Sequence, residues 1–189
     1  MTILVFLAII SYIVIHLASI NEFVRGFRDE YPSHPVNCGH TKKSAKAAGC
    51  VYDIIMVGWV APGCIDPYVL LDAFSPNSSL AGVKGAGTFN FSLNYDFTEF
   101  IPQDVDVISQ HDWIFANWEF HKAHCAYVWR IFASALERKK KGEKGVYIYR
   151  TFLIYKYSLH CNKVLLDREK SLLEPTKIQI GGTNRYVLL

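Results

Sequence analysis

The stretch EFHKAHCAYVWR, residues 119 to 130, sets two imidazoles and a thiol within five positions: His121, His124 and Cys125. Side chains three or four residues apart share one face of a helix, so all three can converge. The dipeptide recurs as His160-Cys161, where Tyr157 takes the place that His121 holds in the first copy. Imidazole with soft thiolate is a donor set for copper or zinc rather than for magnesium or calcium. Two such clusters on neighbouring helices can build one site or a close pair. The competing readings are a Cys125–Cys161 disulfide with histidines packed beside it, and chance recurrence. Tyr157 is either one more aromatic in a segment that also holds Tyr147, Tyr149 and Tyr155, or a hydrogen-bonding support or phenolate ligand of the site.

These residues need helices to carry them. The pattern predicts one helix over residues 114 to 140, broken by KKKGEKG, and a second over residues 146 to 170, before Pro175. A short polar turn makes the two antiparallel neighbours. Cys125 lies 18 residues before residue 143 and Cys161 lies 18 after it, so the two thiols should sit at one level.

The rest of the chain reads as scaffold. CGHTKKSAKAAGC suggests a short helix capped by Thr41 and ended by Gly49, and CIDPYVLLDAF another, with Asp66 at the cap and Pro67 at the first turn. Cys38, Cys50 and Cys64 are disulfide candidates whose pairing stays open. From Phe89 to Thr98 aromatic and polar residues alternate, the signature of a half-buried strand. The tail IQIGGTNRYVLL suggests a hairpin about Gly181 and Gly182. Asp104 and Asp106, after Pro102, read as a solvated loop.

From Thr2 to Ile20 the chain carries no formal charge apart from a proton on His16. About 20 apolar residues match a bilayer core of about 30 Å, and neither a basic leader nor a short apolar stretch marks a cleaved signal. The expectation is therefore an uncleaved transmembrane anchor at residues 1–21, a stalk at 22–37 and a single lumenal domain at 38–189. NSS at Asn77 and NFS at Asn90 match the N-glycosylation pattern and, with five cysteines, favour a single-pass protein of the secretory pathway whose C-terminal domain is lumenal. The expected fold class is α+β and mainly helical, with an antiparallel helix pair, a few strands and the N-terminal transmembrane helix. The net charge of +3 is small and no basic stripe is interleaved with aromatics, which argues against nucleic acid as a partner. The run Arg138 to Lys141 reads as the solvated end of a helix. No G-x-S-x-G, P-loop or H-E-x-x-H is present.

HKAHC at residues 121 to 125 and YSLHC at 157 to 161, after an apolar N-terminus, resemble the paired His-x-x-His-Cys motifs of the UstYa-like proteins of fungal secondary-metabolite clusters, mycotoxin pathways among them. The first copy matches completely and the second lacks its first imidazole. The N-terminal half, with CGHTKKSAKAAGCVYD and WVAPGC, is more similar to a related group of fungal membrane proteins. The resemblance implies a membrane-anchored, metal-dependent oxidase or oxidative cyclase. Copper would be its cofactor, with zinc as the alternative, held by His121, His124, Cys125, His160 and Cys161. Its substrate would be a small natural product or short peptide, and the chain could work as a homo- or hetero-oligomer. The alternative is a non-catalytic membrane-anchored domain whose structural metal or disulfide site supports binding of a partner.

Overall fold

The computed structural model describes residues 6–7, 9–15, 17–18, 38–39, 41–74, 89–180 and 186–188. Contacts divide the chain into two units, Met1–Ser33 and His34–Leu189. In the first, the described residues are helical, but no helix among the described residues is long and apolar enough to cross a membrane. This overturns the expected transmembrane helix and, with it, the single-pass membrane placement. The stalk and Asn77 lie outside the described residues.

The second unit begins with helix α1, Lys42–Ala47, whose start is fixed by a capping box: Ser44 N donates to Thr41 Oγ1 and Thr41 N donates to Ser44 Oγ. Gly49 leaves the helix with φ +71°, a region open to glycine without steric cost. The chain thereby turns back and lets Cys38 bond Cys50, while Cys64 stays a free, buried thiol. Strands β1 (Val51–Asp53) and β2 (Gly58–Val60) form an antiparallel hairpin. In its turn Asp53 Oδ1 accepts from Ile55 N and Met56 N, at 2.9 and 3.0 Å. Helix α2, Pro67–Phe74, opens as expected, with Asp66 Oδ1 accepting from Tyr68 N and Val69 N.

The long strand expected at residues 89 to 98 stops early. Phe89 and Phe91 are buried, but β3 is only Phe91–Ser92, and Leu93 and Tyr95 are exposed. The reason is Asn94, whose Oδ1 accepts from Thr98 N and Glu99 N and so closes a turn that returns the chain as β4, Phe100–Ile101. Asp104 caps the four-residue helix α3, Val105–Ile108, and Asp106 pairs with Lys42 and Lys46. Both carboxylates are exposed, as a solvated segment requires, but they stand at the start of a short helix rather than in a loop.

The first predicted long helix is in fact a strand followed by a helix. Trp113–Asn117 forms β5, where Ile114 and Ala116 are buried while Trp113 is exposed, a period of two. Helix α4 then runs Trp118–Lys140. The second predicted helix likewise resolves into β6 (Tyr147–Tyr149), a 3-10 turn (Arg150–Leu153) and helix α5, Tyr155–Leu166. Strand β7, Pro175–Gln179, joins β5 at the edge of an antiparallel sheet ordered β4-β3-β5-β7. Strand β8, Tyr186–Leu188, pairs with β6, so the tail does not fold on itself as the expected hairpin. Helices and sheets are thus mixed rather than the fold being mainly helical. Phe120 joins α4 to the sheet, meeting Phe89 and Phe91 edge-on at 5.2 Å each. Arg138 is not simply solvated, because it pairs with Glu143 at 2.6 Å and reaches buried Asp66 at 3.5 Å.

Candidate metal centre

Helix α4 enters the site under control of its cap. Asn117 Oδ1 accepts from Phe120 N at 3.1 Å, which fixes the first turn and with it His121. The Trp118 ring stands edge-on to the His121 ring, with centroids 5.0 Å apart. Helix α5 packs alongside and brings Tyr157, His160 and Cys161 to the same level.

Two of the predicted imidazoles, one from each motif, meet directly: His121 Nε2 lies 3.1 Å from His160 Nε2. Tetrahedral coordination at about 2.0 Å would separate two ligand nitrogens by about 3.3 Å, so the pair is already near the spacing a shared ion needs. One donor atom each from His121, Cys125 and His160 lies within 4.8 Å of the others. Burial drives His121 down to about 4, helped by the neighbouring His124, His160 and Lys170, so it is a neutral imidazole at physiological pH. Its Nδ1 faces Thr176 Oγ1 at 3.4 Å, from β7.

His124 does not belong to this set. Its Nδ1 donates to the Ile55 carbonyl at 2.7 Å and its Nε2 accepts from the Tyr157 hydroxyl at 2.7 Å, so both nitrogens are committed. Burial lowers its basicity too, and burial raises the Tyr157 phenol far above its ordinary range, keeping the hydroxyl a donor. Tyr157 is therefore a hydrogen-bonding support rather than a ligand. Cys125 and Cys161 are both free and buried, with Trp118 and Val164 around them. The mutual interaction of the two thiols, together with burial, pushes the Cys125 thiol up. The structure thus unites His121, His160 and Cys125, sets Cys161 against Cys125, and assigns His124 elsewhere.

A cleft of about 560 Å³ opens onto His121, His124, Tyr157 and His160. Trp113, Phe120 and Tyr149 give it aromatic walls; Lys177 contributes a cation, and no carboxylate lines it among the described residues. Sequence reasoning missed the Ile55 carbonyl, Thr176 and Lys177. No local signal marks them, because they arrive from a hairpin turn and an edge strand far away in the chain. Of the other predicted positions, Asn90 is exposed just before β3, Cys38 and Cys50 are bonded, and the Cys64 thiol is pushed up to about 12 by burial. No protein-family model matches the chain, and no curated protein or solved structure is significantly similar to it.

Proposed function

We propose that the chain binds one transition-metal ion through His121, His160 and Cys125 and acts as a metal-dependent oxidoreductase on a small natural product or short peptide held in the cleft. The observation that carries this reading is the convergence of the three donor atoms within 4.8 Å, those of His121 and His160 at the cleft wall and that of Cys125 buried behind them. Structural zinc sites are closed by four protein ligands, whereas three ligands beside a cleft leave a position for chemistry. The soft sulfur with two imidazoles favours copper, which when bound would supply one-electron redox chemistry. The likeness to UstYa-like proteins supports the same reaction class.

The chain's own residues prepare the site. With its proton on Nδ1, which faces Thr176 Oγ1 at 3.4 Å, His121 would present the Nε2 lone pair to an ion shared with His160. The Ile55 carbonyl and the Tyr157 hydroxyl clamp His124, which steadies the helix turn that carries Cys125. Binding requires Cys125 to lose its proton, so uptake of the ion should release acid. Trp113, Phe120 and Tyr149 offer apolar faces to a substrate, and Lys177 favours neutral or anionic groups there. The alternative, a structural zinc site in a binding domain, draws on the complete burial of the thiols.

Metal analysis of the purified chain, with thiol titration and oxygen-uptake assays on the same sample, tests the reading. Copper at about one ion per chain, together with uptake of oxygen in the presence of small phenolic or peptide reductants, is the expected result. Stoichiometric zinc without oxygen uptake would favour the structural alternative.

A further inference from the structure

Five cysteines meet three fates in this chain. Cys38 and Cys50 are bonded; Cys64 is buried without a sulfur partner; Cys125 on α4 and Cys161 on α5 are free thiols buried in one small cluster with Trp118 and Val164. Cys125 also supplies the sulfur that lies within 4.8 Å of the His121 and His160 nitrogens. It therefore has two neighbours competing for one atom. A thiolate can ligate a metal or be half of a disulfide, and a disulfide sulfur is a poor ligand.

We propose that Cys125 and Cys161 form a redox-active dithiol that closes to a disulfide under hydrogen peroxide and thereby withdraws Cys125 from the metal site, an inference that rests on the metal-site reading above. One sulfur attacks a peroxide oxygen, giving a sulfenic acid and, after proton transfer, water. The second sulfur attacks the sulfenic sulfur, loses its proton and expels a second water. Two thiols and one peroxide become one disulfide and two waters, with the thiols oxidised and the peroxide reduced. Thiol reduction reverses the step. Cys125 and Cys161 are 0% and 1% exposed, which restricts the chemistry to small oxidants. The cleft is lined by His121 and His160 but by neither cysteine, so peroxide reaches the sulfurs through local opening beside these imidazoles.

The test uses the full chain, reduced and free of metal, treated with one equivalent of hydrogen peroxide and then with catalase. Peptide mapping after alkylation under denaturing conditions reads the sulfurs, and zinc(II) titration reads the site. A Cys125–Cys161 cross-linked peptide is expected, with Cys64 still alkylated, zinc affinity lowered at least about tenfold, and recovery of both with dithiothreitol. Thiols that remain alkylatable, thiols that end as separate higher oxides, or a cross-linked chain that binds zinc as well as the reduced one would each overturn the switch while leaving the metal site standing. A reduced chain that binds no zinc, copper or cobalt would overturn the metal site itself, and the switch with it.

Discussion

At the residue scale, the two histidines of the first motif divide the labour. His121 Nε2 lies 3.1 Å from His160 Nε2, a nitrogen that can share an ion with it, whereas His124 is held on both nitrogens by the Ile55 carbonyl and the Tyr157 hydroxyl. Removing the imidazole of His121 should therefore strip metal from the site, while Tyr157→Phe should leave metal content nearly unchanged. The latter change leaves His124 Nε2 without its donor in a buried setting, a loss of about 1–3 kcal/mol in stability, measurable by urea unfolding. The pH dependence follows from His121. Its folded form protonates near 4, against about 6.5 in the unfolded chain, so between those values the unfolded state binds more protons. Stability of the metal-free chain should thus fall as pH drops from about 6.5 to about 4, and the His121→Gln chain should show a shallower fall. Equal slopes in the two chains would remove His121 as the cause. The motif itself, with its broken first position at Tyr157, was legible in sequence; the division between His121 and His124 was not, because the Ile55 carbonyl that decides it comes from another hairpin.

At the element scale, a pair of antiparallel segments levelled at Cys125 and Cys161 could be read from the spacing about residue 143, and the structure has it. The bounds could not. Helical spacing through Trp118 to Lys140 hid the strand Trp113–Asn117, whose alternation of exposed and buried residues becomes visible only once β3 and β7 flank it. In the same way the aromatic alternation after Phe91 promised a longer strand than Asn94 permits. Asn117 is the hinge between strand and helix, and its side chain is what starts α4 at the turn bearing His121. Asn117→Ala should cost about 1 kcal/mol in urea unfolding and weaken metal affinity modestly, by way of a frayed first turn. An Asn117→Asp chain, which keeps the cap acceptor, should restore both.

Across the second unit, the site depends on a turn that no motif announced. Tyr127, one turn along α4 from His124, donates its hydroxyl to Asp53 Oδ2 at 2.7 Å, and Asp53 organises the β1–β2 turn whose Ile55 carbonyl holds His124. Burial raises the Asp53 carboxyl, so its partners matter. Tyr127→Phe should cost about 1–3 kcal/mol in unfolding experiments, and the damage should reach the metal site through the loosened turn. The apolar N-terminus, read from its length and hydropathy as a membrane span, yields no helix among the described residues long and apolar enough to cross a membrane.

The most direct measurement is metal per chain in the purified wild type beside His121→Ala and Tyr157→Phe, reduced and handled identically. About one copper ion per chain is expected in the wild type and in Tyr157→Phe, and a loss of most of it in His121→Ala. A metal content indifferent to His121→Ala, or no stoichiometric metal in the reduced wild type, would contradict that expectation.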